Sequence, residues 1–412
     1  MSSPLHPRVS RSVFSTLLTL TVGMGAATLA TGCFWKKKAA TEPTPQAVVS
    51  PTPGPPDIDY AKVRPNELGR IPVLMYHEIG GKPYPRDPGL VRTVESFKKD
   101  LELLYAAGFR PVNMGDVLQN NIDIPAGMSP VVITFDDARE SQFRLIETPD
   151  SLKVDPNCGV GVLTEFNKKH PDWKLRATFF VLPKSEKTMA PFGQAGMGDQ
   201  KFAYLHEKGF ELANHTTRHK SFRRMSPAEI QKEIGYAHKE ILRAVPGAKV
   251  QVLAAPMGQF PNDKANWKYL VKGTYEGVSY DYKAAMLAAY RPIPSPASKA
   301  FDPFRLERIA PLDNDPNGLR NWIVKLTAAG GDRYISDGDP KVVSYPKGRE
   351  TEVNAKRLEA DGILANAYSP FGGDGGSKPI VADGEEGASS VAASGSAGTP
   401  EAAPAATKTI TP

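Results

Sequence analysis

Two acids stand side by side at Asp136 and Asp137, in "VVITFDDARE", and two histidines stand four apart at His215 and His219, in "ANHTTRH". Adjacent carboxylates repel, so a pair at the end of an apolar run calls for positive charge beside them. Imidazoles four apart can be aimed at one point by a helical turn or a tight loop. Two histidines plus one carboxylate are a common ligand set for a divalent metal. Taken alone, that histidine spacing also occurs as two polar loop residues. Here both clusters follow an apolar run, which raises the case for a shared centre.

The elements that would carry these residues alternate. Short apolar runs read as strands at 71–76, 131–135, 177–182, 210–214, 250–255 and 305–310. Phe97, Leu101 and Leu104 mark one apolar face of a helix that Gly108 ends. A second helix starts at "SPAE", where Ser226 and Glu229 form a capping box and Pro227 takes the first helical position. Ile230, Ile234, Ala237 and Ile241 mark its buried face, and Pro246-Gly247 stops it. Repeated strand–helix units with continuous apolar strands imply an α/β fold with a parallel sheet covered by helices. In barrel forms of it, chemistry gathers at the C-terminal strand ends, where Asp136 and Asp137 fall.

In order, "TFDDA", "ATFFV", "GFELANHTTRH" and "LAAPMG" resemble the motifs of the polysaccharide deacetylases with a NodB-homology domain, carbohydrate esterase family 4. "PVLMYHEI" and "DPFRLERI" also look like segments of that family, and the resemblance spans about residues 70 to 310. It leans toward the poly-N-acetylglucosamine deacetylase-like branch. The resemblance implies a distorted seven-stranded (β/α) barrel, Asp136 as general base, and Asp137, His215 and His219 as ligands of one divalent metal ion. Zinc is expected first, with nickel and cobalt also suited to such ligands. A cation would remove the repulsion between the acids and make a water acidic enough for a weak base, so that acetate leaves an N-acetylated sugar.

Two departures stand out. An arginine usual in the third motif is replaced by Ala254; Arg308 or Arg139 could supply its charge. A late histidine that would protonate the leaving amine is missing, because the last of seven histidines is His238. His77 is the replacement by position, and reads equally well as a hydrogen-bonded histidine at the barrel rim. Pro256, Met257 and Gly258 are expected to shape the groove wall. Tyr76 and Trp173 could stack on sugar rings, although buried aromatics are commoner. Asn214 and Thr216 flank a ligand histidine and could orient it, or equally well cap the loop. His170, His206 and His238 read as surface residues, residues 139–176 as a cap near the groove, and Cys158 as a small buried hydrophobe.

The two ends read differently. Arg8, Arg11 and the apolar stretch to "LATGC" resemble a secretory signal over 1–32 with a lipobox at Cys33. A membrane anchor or ordinary cleavage would give a similar pattern. Residues 33–65 read as a Pro-rich tether, 66–335 as the deacetylase domain, 336–370 as a partly ordered extension, and 371–412 as a low-complexity tail expected to be disordered. "YISDGDPKVVSYPKG" suggests a hairpin. Net charge is +6 without a basic stripe, so nucleic acid is not an expected partner. The expected partners are a polysaccharide or oligosaccharide with N-acetylated sugars and a membrane reached through Cys33. The chain is expected to be an exported, lipid-anchored monomer on the periplasmic or cell-surface face of a bacterial membrane. Alternatives are an O-acetyl esterase on the same scaffold, a carbohydrate-binding lipoprotein without catalysis, and an iron oxygenase, whose closely spaced His and Asp are lacking.

Overall fold

The computed structural model describes residues 54–81, 84, 88–183, 190–370 and 408–411. The expected signal, Cys33, most of the tether and nearly all of the low-complexity tail lie outside them. Seven strands build the main sheet: β1 (Val73–Tyr76), β2 (Phe109–Pro111), β3 (Ser129–Asp136), β4 (Thr178–Val181), β5 (Glu211–Asn214), β6 (Val252–Ala254) and β7 (Ala284–Met286). Six run in the order β7-β6-β5-β4-β3-β1, and β2 pairs with the start of β3. Every pairing is parallel.

The sheet curls until its edges face the same segment. Ile309 exchanges backbone hydrogen bonds with β1, accepting from Met75 and donating to Val73, and Leu306 accepts from Leu287 beyond β7. Residues 305–310, expected as a strand, make only isolated bridges to Leu74 and Met286. The closure is thus a pair of single contacts rather than a ladder, which is what distorts the barrel. β7 has the sequence "AAM", too short and too weakly apolar to stand out as a strand.

Side chains alternate across each strand. Val73, Val132, Phe180, Ala213, Val252, Ala254, Ala284 and Met286 gather in an inner cluster closed below by Met114 and Val117. Their neighbours Leu74, Tyr76, Val131, Ile133, Phe135, Phe179, Val181 and Leu212 face outward into the layer against the helices. That layer is supplied by α1 (Val94–Ala106), α3 (Gly159–Lys169), α4 (Gly198–Glu207), α5 (Pro227–Ala244) and α6 (Leu319–Thr327); the short α2 (Met114–Leu118) lies beneath the barrel. α1 buries Phe97, Leu101 and Leu104 and ends before Gly108, whose φ of +80° suits glycine. α5 has the expected capping box, proline and buried Ile230, Ile234, Ala237 and Ile241.

Residues 336–370 are more ordered than expected. Val342–Pro346 pairs in parallel with Leu364–Tyr368, so the 334–348 stretch is no hairpin. Val343, Tyr345, Val353 and Leu358 pack with Leu68 and Ala297 in a third cluster. The buried Glu67 carboxylate accepts from Tyr334 Oη and from the backbone N–H groups of Asp337 and Ser344. At the far end, Ile410–Thr411 pairs with Leu152–Lys153, so these residues of the expected disordered tail have strand structure. Cys158 is buried and free, as expected. No helix among the described residues is long and apolar enough to cross a membrane.

Candidate active site

Strand alternation decides which residues reach the cleft. On β3, Val132, Thr134 and Asp136 share the inward face, and Asp136 is the last of them. His77 continues the inward face of Val73 and Met75, and His215 that of Ala213. Among the described residues, nine non-glycines have positive φ; Asp137, Ala138, Thr216, His219 and Met257 are five of them. All five lie in turns directly after β3, β5 and β6. Such backbone costs on the order of 1–3 kcal/mol per residue and tends to persist where function holds it.

Asp136 is held by Arg308. Nη1 donates to Oδ1 at 2.6 Å and Nη2 to Oδ2 at 2.9 Å, and both side chains are buried. The guanidinium also donates to Thr134 Oγ1 at 3.3 Å and to the Leu287 carbonyl at 3.1 Å. Burial by itself would raise the Asp136 carboxyl, but the charge of Arg308, with that of His215, holds it below the ordinary carboxylate range. Arg308 therefore places a positive charge against Asp136, where Ala254 supplies none. Arg139 goes elsewhere: it donates to Asp137 Oδ2 at 3.0 and 3.2 Å.

Asp137, His215 and His219 bring one ligand atom each within 4.8 Å of one another. Asp137 Oδ1 lies 3.4 Å from both Nε2 atoms. Asp137 Oδ1 and His215 Nε2 are buried without a hydrogen-bond partner, as ligand atoms awaiting a cation would be. His215 Nδ1 faces the Ala254 carbonyl at 2.9 Å, and donating to it leaves Nε2 with a free lone pair. Burial would lower His215, yet the carboxylates of Asp136 and Asp137 raise it, so a proton competes with a cation for Nε2. The residues fit a divalent metal site.

The cleft over these groups has a volume of about 450 Å³. His77 lies within it, with Nε2 3.9 Å from Asp136 Oδ2 and Nδ1 buried without a partner. Burial lowers its pKa, so the imidazole is held neutral. Met257, 53% exposed, and Gly258 line the wall; Pro256 is buried behind it. Tyr290, 47% exposed, forms another part of the wall. No signal in the sequence marked it.

Several expectations need correction. Tyr76 points away from the cleft, because it occupies an outward position on β1. Its ring packs on Phe97 and Phe135 and its hydroxyl donates to Asp100 at 2.9 Å. Trp173 is fully buried, the commoner of the two readings expected for it. His238 is buried too, facing the Tyr282 hydroxyl, rather than on the surface. The hydrogen bonds of Asn214 and Thr216 go elsewhere than the His215 ring; Asn214 Oδ1 accepts from the Thr216 N–H and Thr216 Oγ1 from the His219 N–H. They shape the loop, while the Ala254 carbonyl orients the ring. That carbonyl was missed because a backbone partner from another strand leaves no trace in residue types.

The family model described as polysaccharide deacetylase matches residues 124–275, a stretch that contains Asp136, Asp137, His215 and His219. The chain carries a polysaccharide deacetylase domain. As a carbohydrate deacetylase, it is a hydrolase. Among solved structures, the deacetylase resembles the Streptococcus pyogenes deacetylase PplD in complex with acetate, at 19% identity and a TM-score of 0.45, over 62% of this chain and 96% of that one. It also resembles IcaB from Ammonifex degensii, at 15% identity and a TM-score of 0.43, over 63% and 98%. A de-N-acetylase from Aggregatibacter actinomycetemcomitans matches at 15% identity and a TM-score of 0.37, over 58% and 94%.

Proposed function

We propose that this deacetylase removes acetyl groups from N-acetylated sugars of a cell-envelope or extracellular polysaccharide, using one divalent metal ion, with zinc the first choice. The observation that carries the reading is Asp136, fixed by Arg308, beside the ligand triangle of Asp137, His215 and His219. A cation held there would supply a Lewis acid that polarises the acetyl carbonyl and acidifies water. Asp136 takes the proton of the attacking water at Oδ2, the oxygen nearest His77. Because Arg308 keeps it a weak base, Asp136 gives the proton up readily. Neutral His77 receives it at Nε2 and delivers it to the departing nitrogen, the task a late histidine would otherwise perform. Acetate and a free amine result.

The "LATGC" stretch supports export and a lipid anchor at Cys33, which would keep the domain at a membrane surface near its glycan. The test of function is acetate release by the full chain from N-acetylglucosamine oligomers, with zinc, nickel or cobalt, beside Asp136→Asn and His215→Ala. Metal-dependent release lost in both variants is expected. Release only from an O-acetylated sugar would replace this reading with an esterase. Sugar binding without any release would replace it with a binding protein.

A further inference from the structure

Gln142 is fully buried, in the one-turn segment Glu140–Gln142 that follows the two acids. Its Nε2 donates to the backbone carbonyl of His77 at 2.6 Å and also to the backbone carbonyl of Asp136. The ladder between β1 and β3 stops just short of these residues, with Tyr76 opposite Phe135 as its last pair. One step further along each strand stand His77 and Asp136, whose side chains face each other across 3.9 Å. A primary amide has two N–H donors, and here both are spent on the two strand ends. Ser141 adds to the hold, because its Oγ accepts from the Ile79 N–H at 3.2 Å. Nothing in the local sequence announces this, since Gln142 lies 65 residues from His77.

We infer that Gln142 is a positioning residue that clips the ends of β1 and β3 and so sets the separation of His77 and Asp136. It belongs neither to the cleft lining nor to the ligand triangle; it acts through two backbone carbonyls. In the proposed reaction, on which this inference rests, that separation is the gap the proton crosses from Asp136 Oδ2 to His77 Nε2. A shift of about 1 Å between reacting groups is enough to cost about 100-fold in rate.

The test compares the full chain with Gln142→Met, which keeps the volume and lacks the donor, and Gln142→Asn, whose amide is one carbon too short to reach both carbonyls. Expected is a fall in kcat of between about 10- and 100-fold with KM within about twofold. The Gln142→Met/His77→Ala double variant is expected to be no slower than His77→Ala alone. One readout needs no turnover: the His77 ring resonance in NMR, assigned with His77→Gln, is expected to move in both Gln142 variants while that of His238 stays. An unmoved His77 resonance overturns the clip whether or not acetate is released, and so does an unchanged kcat or a loss that adds to that of His77→Ala. If the wild-type chain releases no acetate, the deacetylase reading fails, and the resonance alone decides the clip. If Gln142→Met does not fold, Gln142→Asn carries the same comparison.

Discussion

Arg308 and Asp136 are 172 residues apart in sequence, yet they meet as a buried, two-pronged ion pair. The arginine comes from the segment that bridges the two edges of the curled sheet, so the contact that closes the barrel also sets the charge of the proposed base. Arg308→Met is expected to lower kcat about 100-fold, because the carboxylate is no longer held in place and, as a stronger base, gives up its proton less readily. The sign follows from the pairing: Arg308 holds Asp136 below the usual range, so its loss raises that pKa. The acid limb of the kcat/KM profile should then move to higher pH. Leaving Asp136 buried and unpaired should also cost about 3–5 kcal/mol in urea unfolding.

Cation binding should be visible without any substrate. Added zinc is expected to raise the Tm of the full chain, since a ligand at 100 times its Kd stabilises by about 2.7 kcal/mol. His215→Ala and Asp137→Ala should lose most of that rise. The rise should shrink as pH falls, because a proton competes for His215 Nε2. A rise unaffected by both substitutions would place the cation elsewhere.

Glu211 offers a pH effect on stability remote from the cleft. Its carboxyl is buried below the barrel, accepting from Thr178 Oγ1 at 2.7 Å and the Gly115 N–H at 3.0 Å, with Oε1 unpaired. Burial pushes its pKa up from 4.5 to about 7. The folded state therefore binds more protons than the unfolded one between those values, and stability falls as pH rises through that window, by up to about 3 kcal/mol. Glu211→Gln should flatten this part of the curve of unfolding free energy against pH. An unaltered slope would refute the assignment.

Tyr76→Phe tests the direction of that side chain. Its hydroxyl serves Asp100, which also keeps Arg92 at 2.6 and 2.9 Å. A loss of about 1 kcal/mol in stability with unchanged kcat and KM is expected. A large rise in KM would return Tyr76 to the substrate groove.

How much of this was legible beforehand depends on the range of each interaction. The acids, the two histidines, the α5 cap and the apolar strands are local patterns, set by neighbouring residues, and they sit where the sequence places them. Even the outward turn of Tyr76 follows from strand alternation, since His77 beside it faces inward. Arg308 on Asp136, the Ala254 carbonyl on His215 and the Gln142 clip were beyond local reading. Each joins segments whose adjacency exists only after the sheet has curled, and two of the three use backbone carbonyls, which every residue possesses. The same holds for 336–370, whose modest apolar content becomes a core only because Leu68 and Ala297 lie against it. Residue types by themselves determined which groups could do the chemistry; the curvature of one parallel sheet decided which of them meet.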